Sequence, residues 1–268
     1  MTSLNLIVQL EAVIILAAIS IASLRFRILD SRGVIASIFI GYITIVFAGL
    51  SYFAALLTFF LVSAAATRFR VKVVREEIVE KNWIRSWRNV LANGLAPTFV
   101  IIFSRIPGSM DGSLMAAGYL GAIGTAFADT LATEVGLLYR GKPRLITNLR
   151  RVEKGTPGAV SIYGYLGGLI ALIILATLAW AIGIAPLSLA ILLIPSGIIG
   201  MTLDSVLGAG VQAKYECEVC GRIVENSYHC NQPARKVSGA AWINTHTVNL
   251  ISTSIGAVLL TAFTFYLV

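Results

Sequence analysis

The chain has 268 residues, of which 57% are hydrophobic and only 13% are charged, and its mean hydropathy is +0.84. This composition excludes an ordinary soluble domain and predicts an all-α, polytopic integral membrane bundle. The net charge of +8 is spread along the edges of the apolar stretches, without a recognisable nucleic-acid-binding module. Nucleic acid is therefore not expected as a partner.

Apolar stretches that approach the roughly 20 residues of a membrane-spanning helix recur along the whole chain. About eight are recognisable, at residues 4–24, 34–50, 52–66, 90–104, 114–138, 159–182, 186–203 and 248–268. The second, third and fourth are short, so the prediction is about seven to eight spans in a single membrane domain, residues 1–268. The first stretch has no basic leader and no small-residue cleavage site, which indicates a first span and not a signal peptide.

Basic residues are concentrated in every second connection between the predicted spans. They follow the first span (Arg25, Arg27, Arg32), the third (Arg68, Arg70, Lys72, Arg75, Lys81, Arg85, Arg88) and the fifth (Arg140, Lys142, Arg144, Arg150, Arg151, Lys154). Because cytoplasmic connections carry the excess of Lys and Arg, these sides are predicted to face the cytoplasm. The expected location of the protein is the cell membrane. Basic and acidic residues alternate in residues 68–88, so most of these charges are expected on a solvated helix face.

Two carboxylates, Asp129 and Glu134, lie inside the fifth predicted span. An Asp near the centre of a membrane helix costs about 2.5–3.5 kcal/mol, so such residues usually face a cavity or a partner. Five residues turn an ideal helix by about 140°, so the two carboxylates do not share a face. Either the helix breaks near Ala132, or one carboxylate binds a metal while the other orients a basic residue. We favour Asp129 as the metal ligand.

Other polar residues that are unusual in membrane segments gather on the same predicted cytoplasmic side. They begin the fourth span (Asn89, Asn93, Gly94), the sixth (Lys154, Gly155, Thr156, Pro157, Gly158) and the eighth (Asn244, Asn249), or end the seventh (Asp204, Ser205). Together with Asp129 and Glu134 in the fifth span, these residues place polar groups from five distant segments of the sequence at the predicted cytoplasmic face. This convergence predicts a functional site in preference to a structural polar network.

The chemistry of these groups suits phosphoryl transfer. Mg²⁺ prefers one or two carboxylates together with substrate phosphates, and a glycine-rich helix start offers N–H groups to an anion. The chain has only two histidines, and no Ser-His-Asp or Cys-His arrangement can be assembled in its membrane region, so acyl transfer and proteolysis fit poorly. Phosphoryl transfer depends mainly on positioning and charge neutralisation.

A hydrophilic loop at residues 208–242, predicted to be cytoplasmic, contains all three cysteines of the chain, Cys217, Cys220 and Cys230, together with His229. Three thiolates and an imidazole could complete a tetrahedral zinc site. Adjacent His229 and Cys230 are awkward as joint ligands, which leaves His246 or water as the fourth. Free or redox-active thiols and a disulfide are the alternatives, although a cytoplasmic loop is normally reducing.

Several strings together resemble the integral-membrane family that includes human transmembrane protein 19 and the plant phytyl-phosphate kinase of tocopherol synthesis. They are RNVLANG at residues 88–94, DTLATEVG at 129–136, RGKPRLIT at 140–147, KGTPG at 154–158, DSVLGA at 204–209 and CEVCG at 217–221, followed by His229 and Cys230. The chain is more loosely similar to the CTP-dependent dolichol kinase and phosphatidate cytidylyltransferase group.

The resemblance implies an enzyme that transfers a phosphoryl group from a nucleoside triphosphate, with CTP the favoured donor, to a prenyl monophosphate such as phytyl or geranylgeranyl phosphate. Its implied site residues are Asp129, Glu134 and Asp204 for Mg²⁺, Lys142, Arg144 and Lys154 for phosphates, and Arg88, Asn89 and Asn93 in the same pocket. The prenyl tail is expected among the fifth to seventh spans.

Two other functions stay open at this point. One is a transporter of an anionic or isoprenoid solute, and the other is a cytidylyltransferase or CDP-alcohol-type lipid transferase, although the paired D-x-x-D-G signature of the last group is absent. Membrane lipids are expected as partners in every case.

Overall fold

The computed structural model describes residues 6–74 and 84–267, which form eight α-helices in chain order. Their bounds are α1 Leu6–Arg25, α2 Ser31–Ile43, α3 Leu50–Val73, α4 Trp87–Phe103, α5 Gly112–Leu138, α6 Ile162–Ala181, α7 Leu187–Gly210 and α8 Thr245–Leu267. The basic residues Arg75 and Lys81 and the outer ends of the first and last predicted spans lie outside the described residues.

Seven of the helices within these ranges are long and apolar enough to cross a membrane. Helix α2 reaches spanning length only together with the π-helical turn Thr44–Ala48 that continues it. Helix α4 has 17 residues and is not among the seven. The prediction of an all-α polytopic bundle with about seven to eight spans is confirmed. Large apolar side chains such as Leu6 and Ile162 lie exposed on the outside, as lipid-facing residues would.

Helix α5 is the centre of the bundle and packs against α3, α4, α6, α7 and α8. Its apolar composition includes many small residues, and small residues let helix backbones approach closely. A Cβ on Gly121 would lie 2.3 Å from the carbonyl oxygen of Gly256 in α8, and one on Gly167 in α6 would lie 2.8 Å from the carbonyl oxygen of Leu131. These glycines let five helices pack closely around α5.

Polar side chains fix where several helices begin. Asp30 caps α2 by accepting from the N–H of Gly33 at 2.5 Å, Asp111 caps α5 through Leu114 at 2.8 Å, and Ser161 caps α6 through Gly164 at 3.1 Å. Each cap satisfies a backbone donor that has no partner within its helix. Ser161 lies three residues after the KGTPG loop, so its cap fixes where α6 begins relative to that loop.

Two helices extend further than the sequence predicted. Helix α3 continues past the predicted end at residue 66 to Val73, and α7 continues past residue 203 to Gly210. The extension of α3 buries Arg70, which is only 7% exposed and was expected on a solvated face. The extension of α7 places Asp204 and Ser205 within the helix and not at its end. In both cases helix packing continues beyond the apolar stretch.

The described strands are short and lie outside the helices. Strand β1 (Arg144–Leu145) pairs with β2 (Ala159–Val160), so residues 146–158 form the loop of a hairpin between α5 and α6. The segment between α7 and α8 contains a three-stranded antiparallel sheet, with β4 (Ile223–Val224), β3 (Lys214–Glu216) and β7 (Arg235–Ser238) in that order. A second hairpin pairs β5 (Tyr228–His229) with β6 (Gln232–Pro233).

Candidate functional site

A polar cavity of about 570 Å³ lies where α3, α5, α7 and α8 meet the KGTPG loop and the segment before α4. Of the residues predicted from sequence, it brings together Asn89, Asp129, Glu134, Lys154, Gly155, Thr156, Gly158, Asp204, Ser205 and Asn249. The structure therefore brings residues from distant segments of the sequence to one cavity. The roles assigned to the individual residues stay predictions.

Asp129 on α5 and Asp204 on α7 contribute carboxylates to the same cavity, and both side chains are only partly exposed. Asp129 lies within electrostatic reach of Asp204 and of Glu225 in the segment between α7 and α8. Ser252 on α8 donates a hydrogen bond from Oγ to Asp204 Oδ2 at 2.7 Å, which orients that carboxylate. The cavity thus brings together acidic side chains from three segments, and a bound cation there would favour their charged forms.

Glu134 has a different environment, because its carboxylate is paired with α3. Arg70 Nε lies 2.5 Å from Glu134 Oε2, and Thr67 Oγ1 donates to Glu134 Oε1 at 2.7 Å. Helix α5 runs unbroken from Gly112 to Leu138, so no break near Ala132 turns the two carboxylates to one face. The second alternative from the sequence describes the structure: one carboxylate orients a basic residue, while Asp129 faces the cavity with Asp204.

Arg85 is a cavity residue that sequence reasoning treated only as a topology determinant. The short segment before α4 is held by two backbone hydrogen bonds, from Arg85 N to Ile28 O at 3.0 Å and from Asp30 N to Arg85 O at 3.2 Å. Burial lowers the pKa of Arg85, and the negative charge of Glu134 opposes that shift. The local sequence could not predict that Arg85 lies at the cavity, because its backbone is held there by hydrogen bonds to residues 28–30, a separate segment of the chain.

The KGTPG loop carries Lys154 to the cavity through a tight turn. Gly155 and Gly158 have φ values of 81° and 77°, which favour glycine. Thr156 N donates to Glu153 O at 3.2 Å, so this amide is already used within the turn and the expected cradle of free N–H groups is smaller. A Cβ on Gly158 would lie 2.5 Å from the backbone nitrogen of Ala209, which shows how closely the loop contacts the end of α7.

Lys142 and Arg144 do not line the cavity, contrary to expectation. Lys142 pairs with Glu153 on the surface, where both side chains are 63% exposed. This hydrogen bond and the charge of Lys142 lower the pKa of Glu153. Arg144 Nη1 donates to the carbonyl oxygen of Leu149 at 2.8 Å and so closes its own hairpin. Lys142 precedes β1 and Arg144 begins it, and neither lines the polar cavity, whereas Lys154 does.

Three further predicted residues also lie outside the lining of the cavity. Arg88 lies over the ring of Trp87, with Cζ 5.5 Å from the centroid. Asn244 caps α8, since its Oδ1 accepts from His246 N at 2.9 Å and from the next amide at 3.1 Å. Asn93 Oδ1 lies 3.5 Å from Asn249 Nδ2 and lines a neighbouring apolar cavity.

Gln212, which was not predicted as a site residue, and His246, which the sequence suggested only as a fourth zinc ligand, line the polar cavity. His246 does not belong to the group of cysteines and His229. Gln212 is 3% exposed, and its Nε2 and the Nδ1 of His246 are buried without a hydrogen-bond partner among the described residues. Buried polar groups are normally hydrogen-bonded, so two orphan groups at one cavity indicate that something polar binds there. No sequence pattern could have identified Gln212, because its burial depends on the fold of the segment between α7 and α8.

The same segment brings Glu225 and Asn226 to the cavity and also contains the cysteine cluster. Cys217, Cys220 and Cys230 are free thiols, so the disulfide alternative is not the state of this structure. A hydrogen bond from the backbone N–H of Cys220 and one from His229 lower the pKa of Cys217 to about 6. His229 and Cys230 both lie close to the other two cysteines, although adjacent residues were expected to be awkward as joint ligands.

Comparison with known proteins gives the family context. The profile of the family described as integral membrane protein DUF92 matches residues 14–257. An uncharacterized membrane protein of Methanocaldococcus jannaschii is 31% identical over 85% of this chain and 90% of its own length. Protein PGR of Arabidopsis thaliana is 32% identical over 94% of this chain and 93% of its own length.

A second protein of Arabidopsis thaliana, Protein VTE6, chloroplastic, is 28% identical over 86% of this chain and 63% of its own length. No solved structure matches significantly. The family match over residues 14–257 includes every residue that lines the polar cavity, from Thr67 to Asn249.

Proposed function

The chain belongs to the integral membrane protein DUF92 family, and from that membership and its polar cavity we propose that it is a membrane phosphotransferase. The proposed reaction moves the terminal phosphoryl group of a nucleoside triphosphate, with CTP the favoured donor, to a prenyl monophosphate. The observation that carries the proposal is the presence of Asp129, Asp204, Arg85 and Lys154 in one cavity. Phosphoryl transfer needs this combination of metal ligands and phosphate-binding cations.

Asp129 and Asp204 fit a magnesium ion. Their carboxylates come from two helices and repel each other in the cavity, and hard oxygen ligands are the ones that Mg²⁺ prefers. We propose that these two residues hold Mg²⁺, which when bound neutralises charge on the substrate phosphates. Glu134 is left out of this ligand set because both of its oxygens already accept hydrogen bonds, from Thr67 and from Arg70.

The cationic residues bind and orient the two substrates. Arg85 and Lys154 enter the cavity from different segments, whereas the charge of Arg70 is balanced by Glu134. In the proposed step, an oxygen of the acceptor monophosphate forms a bond to the terminal phosphorus, and the bond from that phosphorus to the leaving nucleoside diphosphate breaks. The acceptor supplies its own anionic oxygen, so the protein does not need a general base for this reaction.

A second, apolar cavity suggests where the acceptor lipid binds. It has a volume of about 90 Å³, lies among α1, α2, α3 and α4, and is lined by residues such as Leu16, Leu56 and Phe60. It shares Arg85 and Asn89 with the polar cavity. A phosphate at Arg85 could therefore have the first carbons of its prenyl chain in apolar surroundings. We expect the tail here, and not among the fifth to seventh helices as the sequence suggested.

A transporter is the less well supported alternative. Transporters of this size typically use discontinuous helices near the membrane midplane in two corresponding halves. Here α5 and α7, which carry the two aspartates, are continuous, although α7 contains Pro195. Much of the remaining cavity wall consists of connecting segments at the ends of the helices. We propose that this end faces the cytoplasm, as the distribution of basic residues suggests.

The direct test uses the purified protein in lipid nanodiscs with CTP or ATP labelled at the terminal phosphate. A panel of prenyl monophosphates of different lengths serves as acceptors, with and without Mg²⁺. The expected result is Mg²⁺-dependent appearance of label in a prenyl diphosphate. Absence of transfer to every acceptor from both donors would contradict the proposal, and nucleotide-independent flux of a prenyl phosphate into proteoliposomes would favour the transporter.

A further inference from the structure

The segment between α7 and α8 contains a compact group of four metal-binding side chains. The ligand atoms of Cys217, Cys220, His229 and Cys230 all lie within 4.8 Å of one another. His229 Nδ1 is 3.6 Å from Cys220 Sγ and 3.2 Å from Cys230 Sγ. Ligand atoms around a tetrahedral Zn²⁺ with normal bond lengths are separated by about 3.5–3.8 Å. The four side chains are therefore close to the spacing that one ion requires.

Two tight turns create this spacing. The first joins β3 to β4: Cys217 N donates to Arg222 O at 2.9 Å, Gly221 N donates to Cys217 O at 2.8 Å, and Gly221 has a φ of 68°. This turn brings the thiols of Cys217 and Cys220 close together. The C-x-x-C spacing is typical of one half of a zinc site.

The second turn joins β5 to β6 and contains Cys230 and Asn231, with φ values of 49° and 57°. Two successive positive φ angles are characteristic of the type I′ hairpin turn, and they are unfavourable for a residue such as Cys. The conformation turns Cys230 back beside His229, although neighbouring side chains in a strand point to opposite faces. The turn thus places the Cys230 thiol among the other three ligand atoms.

We infer that these four residues bind one zinc ion, and that this ion holds Glu225 and Asn226 in the wall of the polar cavity. Both residues lie between β4 and β5, which are the strands that adjoin the two ligand turns. Strands of two to four residues are too short to be stable on their own, and a structural metal commonly replaces a core in so small a unit. Thiolate and imidazole ligands favour Zn²⁺, whereas the carboxylates of the cavity favour Mg²⁺.

The consequence of the inference is a link between two sites of different chemistry. Glu225 is within electrostatic reach of Asp129, so its position affects the charge that Asp129 experiences. The zinc ion has no part in the proposed reaction, and the inference does not depend on the phosphotransferase proposal. It requires only that the segment folds around a metal and that this fold fixes Glu225.

Metal analysis of the full-length protein, purified without chelators, tests the first half of the inference. The expected result is about one zinc per chain, loss of that zinc in Cys220→Ser, and retention in Val219→Ser. Val219 is a matched control because it lies in the same turn and its side chain is 62% exposed. Zinc-free protein with three titratable thiols, or iron in place of zinc, would overturn the assignment.

Hydrogen exchange of the intact protein tests the second half. Removal of zinc from the wild-type protein by a chelator should increase exchange in residues 222–231, while the amides of α5 stay protected. Unchanged exchange in residues 222–231 after complete zinc removal would show that the metal does not position Glu225. Zinc content and exchange are both measured without substrates, so a negative result in the kinase assay leaves this inference intact.

Discussion

Arg70 on α3 and Glu134 on α5 form a buried ion pair, with Arg70 Nε 2.5 Å from Glu134 Oε2, in the wall of the polar cavity. The two side chains are 8% and 11% exposed. Thr67, one turn before Arg70, donates to the other oxygen of the same carboxylate. The pair thus joins two helices at the cavity, and its principal contribution is to hold α3 against α5.

Loss of one member of this pair should destabilise the protein strongly. Glu134→Gln leaves Arg70 buried without its counter-charge, and breaking a buried pair from one side typically costs about 3–5 kcal/mol. The measurement is thermal unfolding in detergent. The double variant Arg70→Met with Glu134→Leu should recover much of the loss, because it removes both buried charges. If Glu134→Gln is as stable as the wild type but inactive, Glu134 is a ligand and not a structural partner.

Asp129→Asn should abolish turnover without loss of folding, because the amide preserves size but not the charge needed for Mg²⁺. We expect a fall in kcat of about 100-fold or more, the scale found when one preorganised electrostatic contact is removed at a transition state. Asp204→Asn should have a comparable effect. The matched control is Asp111→Asn at the opposite end of α5, where Asn is also a good helix cap. Near-normal turnover of Asp129→Asn would remove Asp129 from the site.

Lys154 and Lys142 should behave differently, although the sequence assigned both to phosphate binding. Lys154 lines the cavity, whereas Lys142 pairs with Glu153 on the surface. Lys154→Gln should therefore raise the KM for nucleotide or lower kcat, and Lys142→Gln should leave both nearly unchanged. Steady-state kinetics at fixed acceptor concentration measure the difference. Equal effects of the two substitutions would mean that the hairpin closes over the nucleotide in a way this structure does not contain.

Gly158→Ala should be more harmful than Gly155→Ala. Both glycines have positive φ, so both variants carry the same conformational cost of about 1–2 kcal/mol. A Cβ on Gly158 would also meet the backbone of Ala209, whereas a Cβ on Gly155 would have no neighbour within 4 Å. Activity and thermal stability are measured for both variants. Any greater loss of either in Gly158→Ala than in Gly155→Ala is the effect of disturbing the contact between the KGTPG loop and α7. Equal losses would mean that this contact is unimportant.

The orientation of the cavity can be tested in intact cells. An epitope inserted after Asn148, in the exposed turn of the β1–β2 hairpin, should react with antibody only after the cells are permeabilised. An epitope inserted after Gly108, in the connection between α4 and α5, should react without permeabilisation. The reverse pattern would place the cavity on the outer side, where cytoplasmic nucleotide cannot reach it.

The sequence predicted the features that depend on local composition. Apolar length indicated the helices, and the cost of a charge in a membrane segment indicated a cavity at Asp129. Contacts between separate segments were not predictable in this way. Arg70 was assigned to a solvated face because its neighbours are charged, yet α3 continues far enough to bury it against Glu134.

Several predictions from the sequence differ from the structure for one physical reason. The sequence does not reveal in which direction a side chain points from its helix, strand or turn. Lys142 and Lys154 are twelve residues apart in one hairpin, but only Lys154 faces the cavity. His229 and Cys230 were expected to be awkward as joint ligands of one metal ion. The positive φ of Cys230, which brings the two side chains together, cannot be read from its neighbours in sequence. Side-chain direction is set by register and by backbone angles, and neither follows from spacing alone in segments this short.

The hydrogen bond from Ser252 to Asp204 has a consequence for biogenesis. Asp204 belongs to α7 and Ser252 to α8, so a nascent chain that has inserted seven helices carries the aspartate without the hydroxyl that orients it. The segment with Glu225 also lies between these helices and is anchored at both ends only after α8 has entered the bilayer. The polar cavity should therefore become complete in one late step, when the final helix docks, and not gradually as the chain is synthesised.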